Sequence, residues 1–212
     1  MKLFPEELEK HGYILLDKLD HKELIPFVKK YLNAKSVISR IYTGINIVIA
    51  LVIIFLLWFY NRGDNFEIGK GFSHLSYGFA IAFALIPVHE YIHALAYKSQ
   101  GAVNTSYDAN LRKFYFMAIA DKFVANKKEF WLVALAPFVV ISSLLIFFIF
   151  FVNAYWSLTI MGVLLTHTAF SSGDFGMMCY FDFHKDKEIV TYDDKENGMS
   201  FFYGKPKKLE LN

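Results

Sequence analysis

The sequence predicts an all-α membrane protein with four transmembrane helices, a cytosolic N-terminal amphipathic helix and a small C-terminal β-hairpin. Three observations support this fold class. Of the 212 residues, 55% are hydrophobic and 18% are aromatic, which is more apolar material than a soluble domain of this length needs. Charged residues are absent from long segments and dense in others, a distribution that is typical of membrane proteins. The formal net charge is only +2, which gives no support to a nucleic-acid partner.

The N-terminal segment, residues 1–42, mixes charged and apolar side chains throughout and does not have the pattern of a signal peptide. Apolar residues recur in it at helical spacing, namely Leu24, Ile25, Phe27, Val28 and Leu32. We therefore expect a cytosolic segment that contains a short amphipathic helix, lying on the bilayer or on the rest of the protein.

A membrane domain is predicted for residues 43–181. The four apolar stretches in it cover residues 43–60, 72–97, 130–152 and 156–181. The first of these is about 27 Å long as a helix, just enough to span a hydrocarbon core. Lysine and arginine are concentrated before the first stretch, between the second and third, and after the fourth. The positive-inside rule then predicts a multi-pass protein of the cell membrane with both termini in the cytoplasm.

Residues 182–212 are predicted to form a cytosolic tail. Within it, "KEIVTYDD" and "MSFFYGK" resemble two short strands, and "KENG" between them resembles a turn. We expect a small cytosolic β-hairpin here. The connecting segment 101–128 is amphipathic and rich in aromatic residues, and we expect it to lie along the cytosolic face or to dip into it. The single cysteine, Cys179, excludes an internal disulfide.

The motif "HEYIH" places His89, Glu90 and His93 in the second apolar stretch. Histidines four residues apart share one face of a helix, so both imidazoles can reach one zinc ion. The glutamate between them can take a proton from a metal-bound water, which is the arrangement of zinc-dependent hydrolases. Ionisable residues inside a bilayer are costly and are usually functional. The alternative is a pair of buried histidines that bond to neighbouring helices, with the glutamate paired to one of them.

A catalytic zinc site needs a third protein ligand. Asp174 is expected at a depth similar to that of Glu90, roughly 10 Å from the cytosolic end of its helix. His167 lies two turns earlier and is the other candidate, or else a residue that supports the ligands or lines the cavity. Asp174 also has a plain structural interpretation, as the cap of a helix break at Gly173, and the two interpretations are compatible.

These residues resemble the site-2 protease class of intramembrane zinc metalloproteases, in which two histidines and a distant aspartate hold zinc and the motif glutamate is the base. The chain is still more similar, over nearly its whole length, to a bacterial family of short four-span proteins known as putative zincin peptidases. By resemblance, His89, His93 and Asp174 would hold Zn²⁺. Two features depart from site-2 proteases: Asp174 precedes a phenylalanine instead of a glycine, and "ALAP", which ends at Pro137, is only faintly similar to their proline-containing element.

The sequence thus predicts a membrane-embedded zinc peptidase that cleaves a membrane protein or a peptide near the cytosolic side of the bilayer, with Glu90 as the catalytic base. Pro137, in the third stretch, can free a backbone carbonyl and splay its helix. Gly173 offers a place where an extended substrate can dock. Two alternatives stay open: a non-catalytic membrane protein with a structural metal site or a partner-binding role, and a metal transporter.

Overall fold

The computed structural model describes residues 2–34, 36–110, 112 and 115–207. The fold is mixed, with helices and two antiparallel sheets, so the prediction of an all-α protein is wrong. The helices are α1 (Leu24–Leu32), α2 (Val37–Tyr60), α3 (Ile68–Ala84), α4 (Ile86–Ser99), α5 (Lys127–Ile149), α6 (Ala154–Phe170) and α7 (Ser172–Phe183). The strands are β1 (Ile14–Asp20), β2 (Thr105–Asn110), β3 (Tyr115–Ala120), β4 (Ala125–Asn126), β5 (Lys187–Asp194) and β6 (Met199–Pro206).

The chain folds into two compact units, which we name after their content. The sheet unit comprises Met1–Ser39, Glu90–Ala136 and Gly173–Asn212. The helical unit comprises Arg40–His89 and Pro137–Ser172. Each unit is described by itself below.

The larger sheet of the sheet unit has the strand order β1-β6-β5-β4, and all its neighbours are antiparallel. The two strands predicted in the tail are present as β5 and β6, joined by a turn in which Gly198 adopts a left-handed φ of 61°. They pair as an antiparallel hairpin, and β1 and β4 flank this hairpin to complete a four-stranded sheet. Residues 208–212 of the predicted tail lie outside the described residues.

The smaller sheet is a hairpin of β2 and β3, which we call the β2–β3 hairpin. It lies in the segment 101–128, where the sequence did not predict strands. The end of β3, Ala118 to Ala120, is buried in the unit. Its three side chains are all apolar, and the central one, Ile119, is β-branched and suits a strand. Directly after β3, Lys122 has a left-handed φ of 54°, and its N–H donates to the carbonyl oxygen of Asp193 at 2.8 Å.

In the helical unit, α3 and α6 approach each other closely at two glycines. A Cβ on Gly78 would collide with the backbone oxygen of Thr159, and a Cβ on Gly162 would collide with that of Leu75. The absence of side chains at both positions therefore sets the distance between the two helices. An apolar cluster of this unit contains Ile49, Ile53, Met161 and Leu164.

Within the described residues, α2 and α5 are long and apolar enough to cross a membrane, and the bent pair α3 and α4 would make a third span. The prediction of four spans is wrong. The stretch 72–97 is broken after Ala84, where the axis turns by 45°. The stretch 156–181 is divided into α6 and α7 at Ser171 and is not a candidate span. Only 11% of the most apolar window of α2 is buried, as expected of a helix that lipid surrounds. The helices are those of a membrane protein.

Candidate metal centre

Helix α4 buries the ionisable side chains of the HExxH motif. His89, Glu90 and His93 are each only 7% exposed. The exposed positions of the same helix include the apolar side chains Val88, Tyr91 and Leu95. This is the reverse of the pattern on a soluble surface helix, and it is the pattern expected where lipid covers the outer face.

The motif brings three possible metal ligands together on one helix. One donor atom from each of His89, Glu90 and His93 lies within 4.8 Å of the others. The spacing of the motif explains this, since residues three and four apart are neighbours on a helix surface. The geometry that the sequence predicts for these three side chains is therefore present.

His93 is held from two sides within the sheet unit. Its Nδ1 atom donates to the carbonyl oxygen of Val133 at 2.9 Å, and its Nε2 atom lies 3.1 Å from Oδ1 of Asp174. Because a carbonyl can only accept, the proton of the neutral ring is on Nδ1, and Nε2 is the nitrogen that would bind a metal. Two ligands of one tetrahedral zinc ion, each about 2.0–2.1 Å from it, lie roughly 3.3 Å apart. The separation of His93 and Asp174 fits this requirement.

The carbonyl oxygen of Val133, which accepts from His93, does not receive the regular backbone hydrogen bond of helix α5 from the residue four positions later. Pro137 lies inside α5 and has no N–H to donate to Val133, the residue four positions earlier. The oxygen of Val133 accepts from His93 instead. Pro137 thus frees a backbone carbonyl, as the sequence predicts, and the structure identifies the side chain that uses it.

His89 has a second histidine as its neighbour within the helical unit. Its Nδ1 atom lies 3.1 Å from Nε2 of His167, which is 2% exposed. A metal-binding histidine usually engages its other ring nitrogen in such a bond, which fixes the tautomer and the ring orientation. His167 is therefore in the position of a residue that orients His89.

Glu90 is bonded to the β2–β3 hairpin, within the sheet unit. Its Oε2 atom accepts the backbone N–H of Ala118 at 2.7 Å. This amide could not be identified from the sequence, because a backbone group carries no signal in the residue type. The carbonyl of Val133 has an indirect signal in Pro137, but that signal does not tell which side chain uses the carbonyl. Both matter here because they hold side chains of the motif.

The remaining residues predicted for the site lie at different distances from it. Asp174 is in the first turn of α7, beside His93. A Cβ at Gly173 would meet nothing within 4 Å, so there is open space beside that residue. His74, the other histidine of the second apolar stretch, bonds to Thr159 in the helical unit at 3.0 Å. Imidazole and carboxylate are the ligand types of catalytic zinc sites, so the pair His93 and Asp174 fits the ion.

A model of one protein family matches the chain over residues 82–187, half of its length, and its description is "putative zincin peptidase". The matched region contains the whole of "HEYIH" and Asp174. No curated protein and no solved structure matches the chain.

Proposed function

The chain belongs to the putative zincin peptidase family, and from this premise we propose that it is a membrane-embedded zinc metallopeptidase of the site-2 protease type. The proposal rests above all on one observation, the separation of 3.1 Å between His93 Nε2 and Asp174 Oδ1 beside a buried HExxH motif. Its substrates would be peptides or membrane proteins.

The proposed ligands are His89, His93 and Asp174. When bound, zinc supplies a water of lowered pKa and polarises the carbonyl of the bond to be cut. Val133 and His167 support the two imidazoles through their Nδ1 atoms. Such supporting bonds typically change metal affinity by about 10-fold to 100-fold when they are removed.

Glu90 is the proposed general base. It takes a proton from the attacking water and returns it to the nitrogen of the leaving amine. One carboxylate oxygen is bonded to the Ala118 amide, and the other oxygen would face the water. The open space beside Gly173 is where we propose that an extended substrate segment docks.

We further propose that the site lies near the cytosolic side of the cell membrane and that both termini are cytoplasmic, which requires an even number of crossings, as with α2 and α5 as the spans. The distribution of lysine and arginine supports this orientation. Water must reach the site, which requires a polar opening toward the cytosol.

A second candidate function is a membrane protein with a structural metal site. The bond between Glu90 and the Ala118 amide favours it, since a carboxylate that holds a strand in place is a structural feature as well. Replacing Glu90 separates the two functions, because this residue is the proposed base and is not a proposed ligand.

The experiment compares the purified protein with its Glu90→Gln, His89→Ala and His74→Ala variants. Zinc content is measured by elemental analysis, and hydrolysis is measured with a quenched fluorescent casein probe and with a single-span membrane reporter. We expect bound zinc in the unchanged protein and in Glu90→Gln, hydrolysis at least about 100-fold slower in Glu90→Gln, and loss of zinc in His89→Ala.

His74→Ala is the matched control, because it removes a histidine that bonds to Thr159 in the helical unit. It should keep both zinc and hydrolysis. Full hydrolysis by Glu90→Gln would overturn the proposed mechanism. Stoichiometric zinc with no hydrolysis of either probe by the unchanged protein would favour the structural site.

A further inference from the structure

We propose that Asp108 and His21, which lie outside the motif, are positioning residues for Glu90 and act through the β2–β3 hairpin. This inference rests on the proposed function, because it concerns the residue that we assign as the base. It goes further by identifying what holds that base in place.

The first step is the bond between the hairpin and Glu90. The N–H of Ala118 donates to Oε2 of Glu90 at 2.7 Å, a length typical of a strong, charge-assisted bond. This bond ties the carboxylate of Glu90 to the backbone of β3. A displacement of β3 would therefore displace the carboxylate of the base.

The second step is that the hairpin is held at the level of this amide. In the register of the two strands, Ala118 pairs with Tyr107, and the next residue along β2, Asp108, pairs with Met117. The side chain of Asp108 bonds to a buried histidine: its Oδ2 lies 3.1 Å from Nδ1 of His21, which is 1% exposed. The contact is therefore one residue away from the position that holds Glu90.

The third step is the continuation of these bonds into the larger sheet. His21 Nε2 lies 3.2 Å from Ser200 Oγ, and that hydroxyl donates to Asp193 Oδ1 at 2.6 Å. Ser200 and Asp193 face each other across β6 and β5. We call Asp108, His21, Ser200 and Asp193 the anchor chain.

The direction of the bonds follows from counting hydrogens. The single hydroxyl proton of Ser200 is given to Asp193, so Nε2 of His21 must donate to Ser200. Nδ1 faces a carboxylate oxygen, which accepts when ionised. Asp108 accepts a further bond from Tyr115 OH at 3.2 Å.

The anchor chain joins the hairpin to the larger sheet through two buried side chains, His21 and Ser200, and the partly exposed Asp108. A second attachment exists at the end of β3, where Lys122 N–H donates to Asp193 O at 2.8 Å. Loss of the anchor chain should therefore shift β3 without unfolding it. A small displacement of a catalytic group lowers the rate steeply, while binding of the substrate elsewhere is unaffected.

The test uses the full-length protein with zinc bound and two variants of the anchor chain, Asp108→Asn and His21→Gln. The matched control is Thr191→Val, which removes a side-chain bond of 2.9 Å to Phe201 O inside the larger sheet and leaves the hairpin alone. Amide hydrogen exchange at Ala118 is the first readout, and it needs no catalysis. The second is kcat, KM and zinc content.

We expect the Ala118 amide to exchange at least about tenfold faster in Glu90→Ala than in the unchanged protein, since its acceptor is gone. The two anchor-chain variants should also speed this exchange, and they should lower kcat at least about tenfold while KM and zinc content stay unchanged. Thr191→Val should change none of these.

Equal exchange at Ala118 in the unchanged protein and in Glu90→Ala would overturn the inference. Unchanged exchange in both anchor-chain variants would overturn it as well. A rise of kcat in Asp108→Asn would also overturn it and would identify the hairpin as a restraint on the base. If the unchanged protein cleaves no probe, the peptidase assignment fails, while the exchange measurements still decide whether the hairpin holds Glu90.

Discussion

The Nε2 atom of His93 lies 3.1 Å from the Oδ1 atom of Asp174, and both side chains belong to the sheet unit. The contact joins the motif helix α4 to the first turn of α7. A neutral imidazole nitrogen and a carboxylate oxygen each carry a lone pair, so they approach this closely only when a proton or a cation lies between them. A zinc ion would satisfy both.

Asp174→Asn should therefore abolish stoichiometric zinc binding, because a neutral amide is a poor ligand for zinc. His167→Ala should keep the ligands and lower zinc affinity by about 10-fold to 100-fold, since His167 only orients His89. Chelator competition measures both affinities. Asp182→Asn, a change on the same helix α7, is the control and should bind zinc normally. A larger loss in His167→Ala than in Asp174→Asn would make His167 the third ligand.

Pro137→Ala should weaken zinc binding while it stabilises the helix. The new N–H at position 137 competes for the carbonyl of Val133, and His93 then loses the acceptor that fixes its ring. We expect zinc affinity to fall about tenfold. A proline inside a helix costs about 3 kcal/mol, so the metal-free variant should melt at a higher temperature.

Pro26→Ala is the control for this change, because Pro26 lies in the first turn of α1, where a proline is tolerated. It should affect neither zinc affinity nor melting strongly. Unchanged zinc affinity in Pro137→Ala would show that the carbonyl oxygen of Val133 accepts from both the new N–H at position 137 and the ring of His93.

Gly78→Ala should destabilise the helical unit by about 1–3 kcal/mol, because the added methyl group meets the backbone of α6. Gly69→Ala, on the same helix α3, has nothing within 4 Å of the new Cβ and should be neutral or slightly stabilising. Thermal melting in detergent measures both. Equal melting temperatures for the two variants would contradict the close approach of α3 and α6.

Asp193 should make the stability of the sheet unit depend on pH. Burial raises the pKa of this carboxyl group above its ordinary value of 3.8. A group whose pKa is higher in the folded state stabilises the fold at low pH, and this contribution is lost as the pH rises through the folded pKa.

As the pH rises from about 4 to about 7, the free energy of unfolding of Asp193→Asn should therefore increase relative to that of the unchanged protein. Asparagine cannot ionise, but it keeps an oxygen that can accept from Ser200. Chemical denaturation at several pH values gives the two curves. Parallel curves would show that Asp193 titrates alike in the folded and unfolded chains.

The sequence predicted the local part of the site better than the fold. The spacing of "HEYIH" is enough to place His89 and His93 on one face of a helix, since that depends on helix geometry alone. The depth comparison that singled out Asp174 assumed a fourth span over residues 156–181, which is not a candidate span, so that argument does not explain the contact of Asp174 with His93. The roles of these residues as ligands stay predictions.

Strands β5 and β6 were predicted, but β1 to β4 were missed, for physical reasons. Strand β1, "ILLDKLD", has no regular alternation of buried and exposed positions, and it precedes a helix whose apolar spacing dominates the segment. The break at Leu85 lies inside a continuous apolar run, where composition does not distinguish one helix from two. Long-range pairing and helix bends depend on tertiary contacts that a local pattern does not contain.

Strand β1 pairs with β6, with Ile14 opposite Gly204. On the ribosome, β1 emerges long before its partner, and every membrane helix is synthesised between them. The nascent strand therefore stays unpaired while those helices enter the bilayer. During this time its backbone can pair with another chain and aggregate. The sheet that anchors the β2–β3 hairpin can close only after β6 has been translated, so Glu90 would acquire its final orientation late, after the membrane insertion is complete.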